Sequence, residues 1–182
     1  MKIRKFTCDN GLTVFLAPME NTHMTTGVFA VRGGWGYETK EIEGAAHLLE
    51  HLMFRGTERR PSTRAIAIEV EKVGGRLHAY TTEEIIAYFI HIPSRYKTLL
   101  CDVLSDFILH HVLDPIQSNI ELESMIEELR KYESDSVDHL IHSFYKLLFG
   151  EHPAGWPGVG TEQSVRSIAR ERLIEHYRSC FV

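Results

Sequence analysis

The feature that most constrains this chain is the segment from His47 to His51, which reads His-Leu-Leu-Glu-His. Apolar residues recur around it at helical spacing, so we predict a helix over residues 43–54. Positions i, i+3 and i+4 lie on one face of a helix. The two imidazoles and the carboxylate of Glu50 are therefore expected to point into the same space.

This spacing is suited to a metal ion. Zinc held from one helix needs two neutral imidazoles about four residues apart, and His47 and His51 meet that requirement. The order of the motif is the reverse of His-Glu-x-x-His and is typical of inverzincins. Glu50 is too close in sequence to be the natural third ligand, but it is well placed to take a proton from water. The third ligand must come from elsewhere.

A later helix, predicted over residues 120–134, offers the candidates for this ligand. Its acidic residues are Glu121, Glu123, Glu127, Glu128 and Glu133. Glu121 and Glu128 are about two turns apart on one face, whereas Glu127 is rotated by about 100° from Glu128. The spacing favours Glu121 and Glu128 as a functional pair and leaves open which of them binds the metal.

The order of the predicted elements indicates an α+β fold in one domain over residues 1–182. Strand patterns occupy the first forty residues, with a hairpin signal at Asn10-Gly11, and return over residues 76–92. Helical patterns cover residues 43–54, 63–73, 95–112, 120–134, 137–149 and 168–178. We therefore predict a mainly antiparallel sheet with helices packed on one face.

Composition narrows the functional classes. The formal net charge is −5, and the Lys and Arg residues are scattered among acids, which argues against nucleic-acid binding. No run approaches the ~18 apolar residues of a membrane span, and the N-terminus lacks the apolar stretch of a signal peptide. Three widely spaced cysteines favour a reducing compartment. We expect neither nucleic acid nor a membrane as a partner, and a cytoplasmic location.

Several segments together resemble the insulinase/pitrilysin family of zinc peptidases. They are residues 47–57, Gly74-Gly75 followed by Ala79-Tyr80-Thr81, the glutamate helix over residues 121–132, and the loop segments 149–153 and 160–162. The resemblance covers essentially the whole chain and implies half of such a peptidase. It implies one Zn²⁺ per chain, held by His47, His51 and Glu128, with Glu121 outside the ligand set as a residue that supports activity.

The resemblance also implies a substrate-binding strand. In the family, the strand matching residues 76–81 is an edge strand that pairs with an extended peptide, which predicts substrate contacts by His78, Ala79, Tyr80 and Thr81. The family usually has asparagine at the position of His78 and threonine at the position of Ile86. Both departures concern substrate alignment, and neither removes a metal ligand.

These observations predict a zinc-dependent metalloendopeptidase that acts on peptides or unfolded segments. Its catalytic residues would be Glu50, which transfers protons, and Glu121. The resembling proteases pair two homologous halves around a chamber, and this chain ends before the strands expected to complete even one half. We therefore expect a homo-oligomer or a partner half. The alternative is a zinc-bearing peptide-binding subunit that is inactive until a partner half completes the chamber.

Four further histidines are weaker metal candidates. His139 and His142 are three residues apart, which permits joint chelation, but no carboxylate is assigned to accompany them. His110 and His111 are adjacent and point about 100° apart. We interpret His139 and His142 as surface or interhelix histidines, and His110 and His111 as poor co-ligands.

Overall fold

The computed structural model describes residues 2–112 and 115–181, and the statements below refer to these residues. The described strands are β1 (Arg4–Thr7), β2 (Thr13–Leu16), β3 (Met24–Arg32), β4 (Arg76–Thr81) and β5 (Ile85–Pro93). The described α-helices are α1 (Ala45–Met53), α2 (Thr63–Glu71), α3 (Lys97–Leu109), α4 (Pro115–Ser134), α5 (Ser136–Phe149), α6 (Glu162–Ser167) and α7 (Arg170–Cys180). Short 3₁₀ turns lie between several of them. The predicted mixture of helices and antiparallel strands is confirmed.

The strands form two antiparallel sheets. β1 and β2 make a separate hairpin, while the larger sheet has the order β3-β5-β4, so β4 is an edge strand within the described residues. The central strand β5 buries Ile86, Tyr88, Ile90 and Ile92 completely. Because side chains alternate along a strand, these four point to one face. Helices α1, α2 and α3 pack against this sheet.

The N-terminus of α1 is held by the carboxyl group of a residue that lies outside the helix. Glu38 accepts hydrogen bonds from the backbone N–H groups of Gly44 (2.8 Å) and Ala46 (2.7 Å). Gly44 adopts a positive φ of 94°, and a side chain there would collide with Val165, so the turn requires glycine. Burial raises the pKa of Glu38 to about 8, although both backbone bonds oppose the shift.

The loop after α1 is fixed by a buried cation. Arg60, of which only 4% is exposed, contacts Asp106 at 2.5 Å, Asp102 at 2.6 Å and Glu69 at 2.9 Å. The hydroxyl of Thr57 donates a hydrogen bond of 2.6 Å to Asp106. Because Asp102 and Asp106 belong to α3 and Glu69 to α2, this cluster fixes the loop after α1 against two other helices.

Two features differ from the predicted elements. The six-residue helix α6 lies between the predicted helices over residues 137–149 and 168–178, and its start is stabilised by reciprocal hydrogen bonds between Thr161 and Ser164. The glutamate helix α4 begins at residue 115 rather than 120. Within the described part of the chain, no helix has both the length and the apolar character needed to cross a membrane.

Candidate metal centre and active site

His47 and His51 lie one turn apart on α1 and face each other. Their Nε2 atoms are 3.2 Å apart, and their rings are perpendicular. His47 is buried, and burial, together with the neighbouring His51, lowers its pKa to about 4, although Glu128 opposes this shift. Its imidazole is therefore neutral near pH 7, which is the form that binds metal ions.

Glu128 of α4 completes a group of three potential ligands. Its Oε2 atom lies 3.4 Å from Nε2 of His51. One ligand atom from each of His47, His51 and Glu128 lies within 4.8 Å of the other two. A tetrahedral zinc ion with bonds of ~2.0–2.1 Å separates its ligand atoms by about 3.3–3.4 Å. The observed separations and the two-histidine, one-carboxylate donor set therefore fit zinc.

Glu121 contacts the other side of the same imidazole. Its Oε2 atom lies 3.1 Å from Nδ1 of His51, and its side chain is only 5% exposed. α4 thus presents Glu121 to one nitrogen of His51 and Glu128 to the other. The three remaining candidates lie outside the ligand group: Glu123 pairs with Arg166, and Glu127 and Glu133 are exposed.

Glu50 lies beside the ligand group and is held by the edge strand. The hydroxyl of Thr81 donates a hydrogen bond of 2.5 Å to Oε2 of Glu50. Burial raises the pKa of Glu50 above its usual value, although the Thr81 hydrogen bond opposes the shift. The carboxylate is thus close to the ligand atoms but outside the group that they form.

The four predicted substrate-binding residues divide between the two faces of β4. Ala79 and Thr81 are half-buried and face α1, whereas His78 and Tyr80 are exposed and lie near Phe89. The alternation of side chains along a strand requires this division. Ala79, Tyr80 and Thr81 line the cleft described next, and His78 does not.

A cleft of about 450 Å³ opens over the ligand group. Its polar wall includes His47, Glu50 and Glu128. Its aromatic wall consists of Trp35, Tyr80, Tyr132, Tyr145 and Trp156. Such a cleft, with a few polar groups among apolar walls, has the form typical of a ligand-binding site.

Sequence reasoning missed part of this surrounding structure. It did not identify the aromatic wall, because Trp35, Tyr132 and Trp156 come from three separate regions of the chain. It also missed Arg55, which forms an ion pair with Glu121. Arg55 is four residues after His51, so helical spacing could have indicated it. His142 borders the cleft, but neither it nor His139 belongs to a group of three potential ligands among the described residues.

Comparison with known proteins gives the family. The sequence model described as Insulinase (Peptidase family M16) matches residues 13–162. The uncharacterized zinc protease YmxG of Bacillus subtilis is 30% identical over 175 residues, which cover 96% of this chain and 42% of that protein. This chain therefore spans less than half the length of that relative.

Solved structures show the same fold. A protease from Helicobacter pylori matches with a TM-score of 0.89 at 23% identity, covering 97% of this chain and 42% of that one. A peptidase M16 inactive domain from Pseudomonas fluorescens matches with a TM-score of 0.86 at 13% identity, covering 97% and 43%. At these identities the likeness concerns the fold alone. The match over residues 13–162 places the chain in the insulinase family of peptidases, peptidase family M16.

Proposed function

We propose that this chain is the metal-binding half of a zinc-dependent metalloendopeptidase that cleaves peptides or unfolded segments. The observation that carries the proposal is the convergence of His47, His51 and Glu128, with Glu50 beside them and free of the ligand group. The three ligands would hold one zinc ion. When bound, zinc would supply a Lewis acid that makes water more acidic and polarises a peptide carbonyl.

The proton transfers are assigned to Glu50. Its carboxylate takes a proton from the attacking water and passes it to the leaving amine. One water molecule is consumed for each peptide bond broken, and the two products carry a new carboxylate and a new amine. The hydrogen bond from Thr81 holds this carboxylate in place. Glu121 supports the reaction from outside the ligand group by orienting His51.

The substrate is proposed to extend β4. β4 forms an edge of its sheet in the described chain, and an added peptide strand there would gain backbone hydrogen bonds. Thr81 belongs to this strand and contacts Glu50, so a peptide paired with β4 would lie next to the proton acceptor. Ala79 and Tyr80 line the same cleft and would contact substrate side chains. The exposed position of His78 places it on the outer face of the strand, where it would contact the peptide only at its margin.

A partner half is part of the proposal. The chain spans 42% of the Bacillus subtilis relative. No residue of α5 is buried, and its exposed apolar residues include Leu140 (69%), Phe144 (58%) and Leu147 (86%). Contiguous exposed apolar surface is typical of an interface. We propose that a homologous second half, or a second copy of this chain, covers α5.

The second candidate function is a zinc-bearing peptide-binding subunit without hydrolytic activity of its own. The likeness in fold to the inactive peptidase M16 domain from Pseudomonas fluorescens supports this second candidate. In this alternative, the cleft and the edge of β4 would still bind peptide, and cleavage would begin only when the partner half is present.

One experiment separates the two functions. The purified chain is incubated with a quenched fluorogenic peptide, with zinc and with a chelator, while its zinc content and oligomeric mass are measured. Cleavage that the chelator stops and zinc restores supports the peptidase, and peptide binding without cleavage supports the subunit. His51→Ala should abolish zinc binding, whereas the matched variant His139→Ala, at an exposed position, should not. A chain that binds neither zinc nor peptide contradicts both functions.

A further inference from the structure

A short line of polar contacts runs away from the candidate metal centre. His51, Glu121 and Arg55 follow one another along it, with Nδ1 of His51 3.1 Å from Oε2 of Glu121 and the guanidinium of Arg55 paired with Oε1 of the same carboxylate. Arg55 lies in the turn just after α1, and it contacts the same carboxylate as His51. The Glu121 side chain is 5% exposed and that of Arg55 is 28% exposed.

The contact at Nδ1 of His51 determines whether the Nε2 atom of the same ring has a lone pair free to bind a metal ion. An ionised carboxylate only accepts hydrogen bonds, so a bond to Glu121 requires that Nδ1 of His51 carry the proton. The Nε2 atom then has a free lone pair, and this atom faces His47 and Glu128. The Nδ1 atom of His47, by contrast, is buried without a hydrogen-bond partner among the described residues. Of the two proposed histidine ligands, His51 is therefore the one that a residue outside the ligand group orients.

Glu121 needs a cation in order to play this part. An ion-pair partner holds a buried carboxylate in one direction, whereas a carboxylate without such a partner would turn towards water. Of the described basic side chains, Arg55 is the one in ion-pair contact with Glu121 besides His51 itself. A planar guanidinium also fixes the direction of the carboxylate, which the compact ammonium of lysine does less well.

We propose that Arg55 is a positioning residue for His51: by pairing with Glu121 it keeps that carboxylate directed at Nδ1, so that Nε2 is available to the metal. This inference rests on the proposed zinc site. Within the described residues the ion pair of Arg55 is with Glu121, and we assign its effect on His51 to this carboxylate.

The test compares Arg55→Met, which keeps most of the apolar stem, with Arg55→Lys, which keeps the charge. The matched control is Arg130→Met, which removes an exposed arginine of α4 paired with Glu162. Zinc affinity is measured by competition with a chromophoric chelator. Residues that orient metal-bound histidines typically affect metal affinity by about 10- to 100-fold. We expect a loss in this range for Arg55→Met, a smaller loss for Arg55→Lys, and no change for Arg130→Met.

A second readout does not depend on zinc. Nitrogen-15 NMR of the histidine side chains in zinc-free protein reports which ring nitrogen of His51 carries the proton. We expect the Nδ1–H form in the parent protein and loss of this preference in Arg55→Met. Equal zinc affinity, or weakened affinity with the Nδ1–H form retained, would overturn the proposal. If the parent protein binds no zinc, the zinc site fails, while the NMR comparison still tests Arg55. If Arg55→Met does not fold, Arg55→Lys is judged by the same two readouts.

Discussion

Replacing Glu50 with glutamine should separate metal binding from hydrolysis. The amide oxygen of glutamine can still accept the hydrogen bond that Thr81 now donates to Glu50, and the side chain keeps its length. The ligand group of His47, His51 and Glu128 is untouched. What is lost is the ability to take a proton from water and return it to the leaving amine.

The expected loss lies at the upper end of the range for proton transfer. General acid–base catalysis contributes about 10²- to 10⁴-fold. Of the other nearby carboxylates, Glu128 belongs to the ligand group and Glu121 is held by His51 and Arg55. Glu83 also lines the cleft but is exposed. With no well-placed substitute, kcat should fall by about 10³- to 10⁴-fold, which corresponds to roughly 4–5.5 kcal/mol.

The assay is cleavage of a quenched fluorogenic peptide at saturating concentration, using the form of the protein that is active, with the zinc content of each sample measured in parallel. Glu127→Gln is the matched control, because Glu127 is an exposed residue of α4. It should retain both zinc and activity. A Glu50→Gln protein that cleaves at more than a tenth of the parent rate would refute the role of Glu50. Loss of its zinc would refute the separation of the two functions.

Three further predictions concern the surroundings of α1. Arg60→Met should lower the free energy of unfolding by about 3–5 kcal/mol in urea denaturation, because it removes the buried cation that pairs with the buried Asp106. Arg59→Met, at an exposed pair, should cost at most about 1 kcal/mol. Burial opposes ionisation of Asp106, but hydrogen bonds from Thr57 and Arg60 outweigh it and hold its pKa below the usual value of 3.8. The ionised Asp106 therefore stabilises the fold above pH ~4 and loses this effect as the pH falls through its lowered pKa. The difference in unfolding free energy between the parent and Asp106→Asn should shrink between pH 5 and pH 3. A constant difference would contradict the pairing. Glu38→Ala should destabilise by about 1–3 kcal/mol through the two unpaired backbone N–H groups of α1, and Glu38→Gln by less, as judged by thermal denaturation.

The sequence could predict the part of the site that lies within a single helix. His47, Glu50 and His51 lie within one helix, so helical spacing alone places them on one face, and the structure brings them together as expected. The third ligand was harder. Glu121 and Glu128 share one face of α4, and periodicity cannot say which of them meets the histidines. The packing of α4 across α1 decides this, because it places the two carboxylates at opposite nitrogens of His51.

Other features depend on contacts that leave no local pattern. Glu38 holds the first turn of α1 from outside the helix, and nothing in its neighbours distinguishes it from a surface glutamate. Helix α6 is only six residues long, so it has too few turns for a periodic pattern to indicate a helix. The alternation of strand residues did predict β4, but which of its faces meets α1 follows from pairing with β5 and from the hydrogen bond between Thr81 and Glu50.

X-ray absorption at the zinc edge tests directly whether His47, His51 and Glu128 hold the metal ion. For the zinc-loaded protein we expect one zinc per chain, with two imidazole nitrogens and carboxylate oxygen at about 2.0–2.1 Å. His51→Ala should remove one imidazole from this shell, and Glu128→Gln should alter its oxygen component. A shell containing sulfur at about 2.3 Å, or one that is the same in both variants as in the parent protein, would contradict the assignment of His47, His51 and Glu128 as ligands.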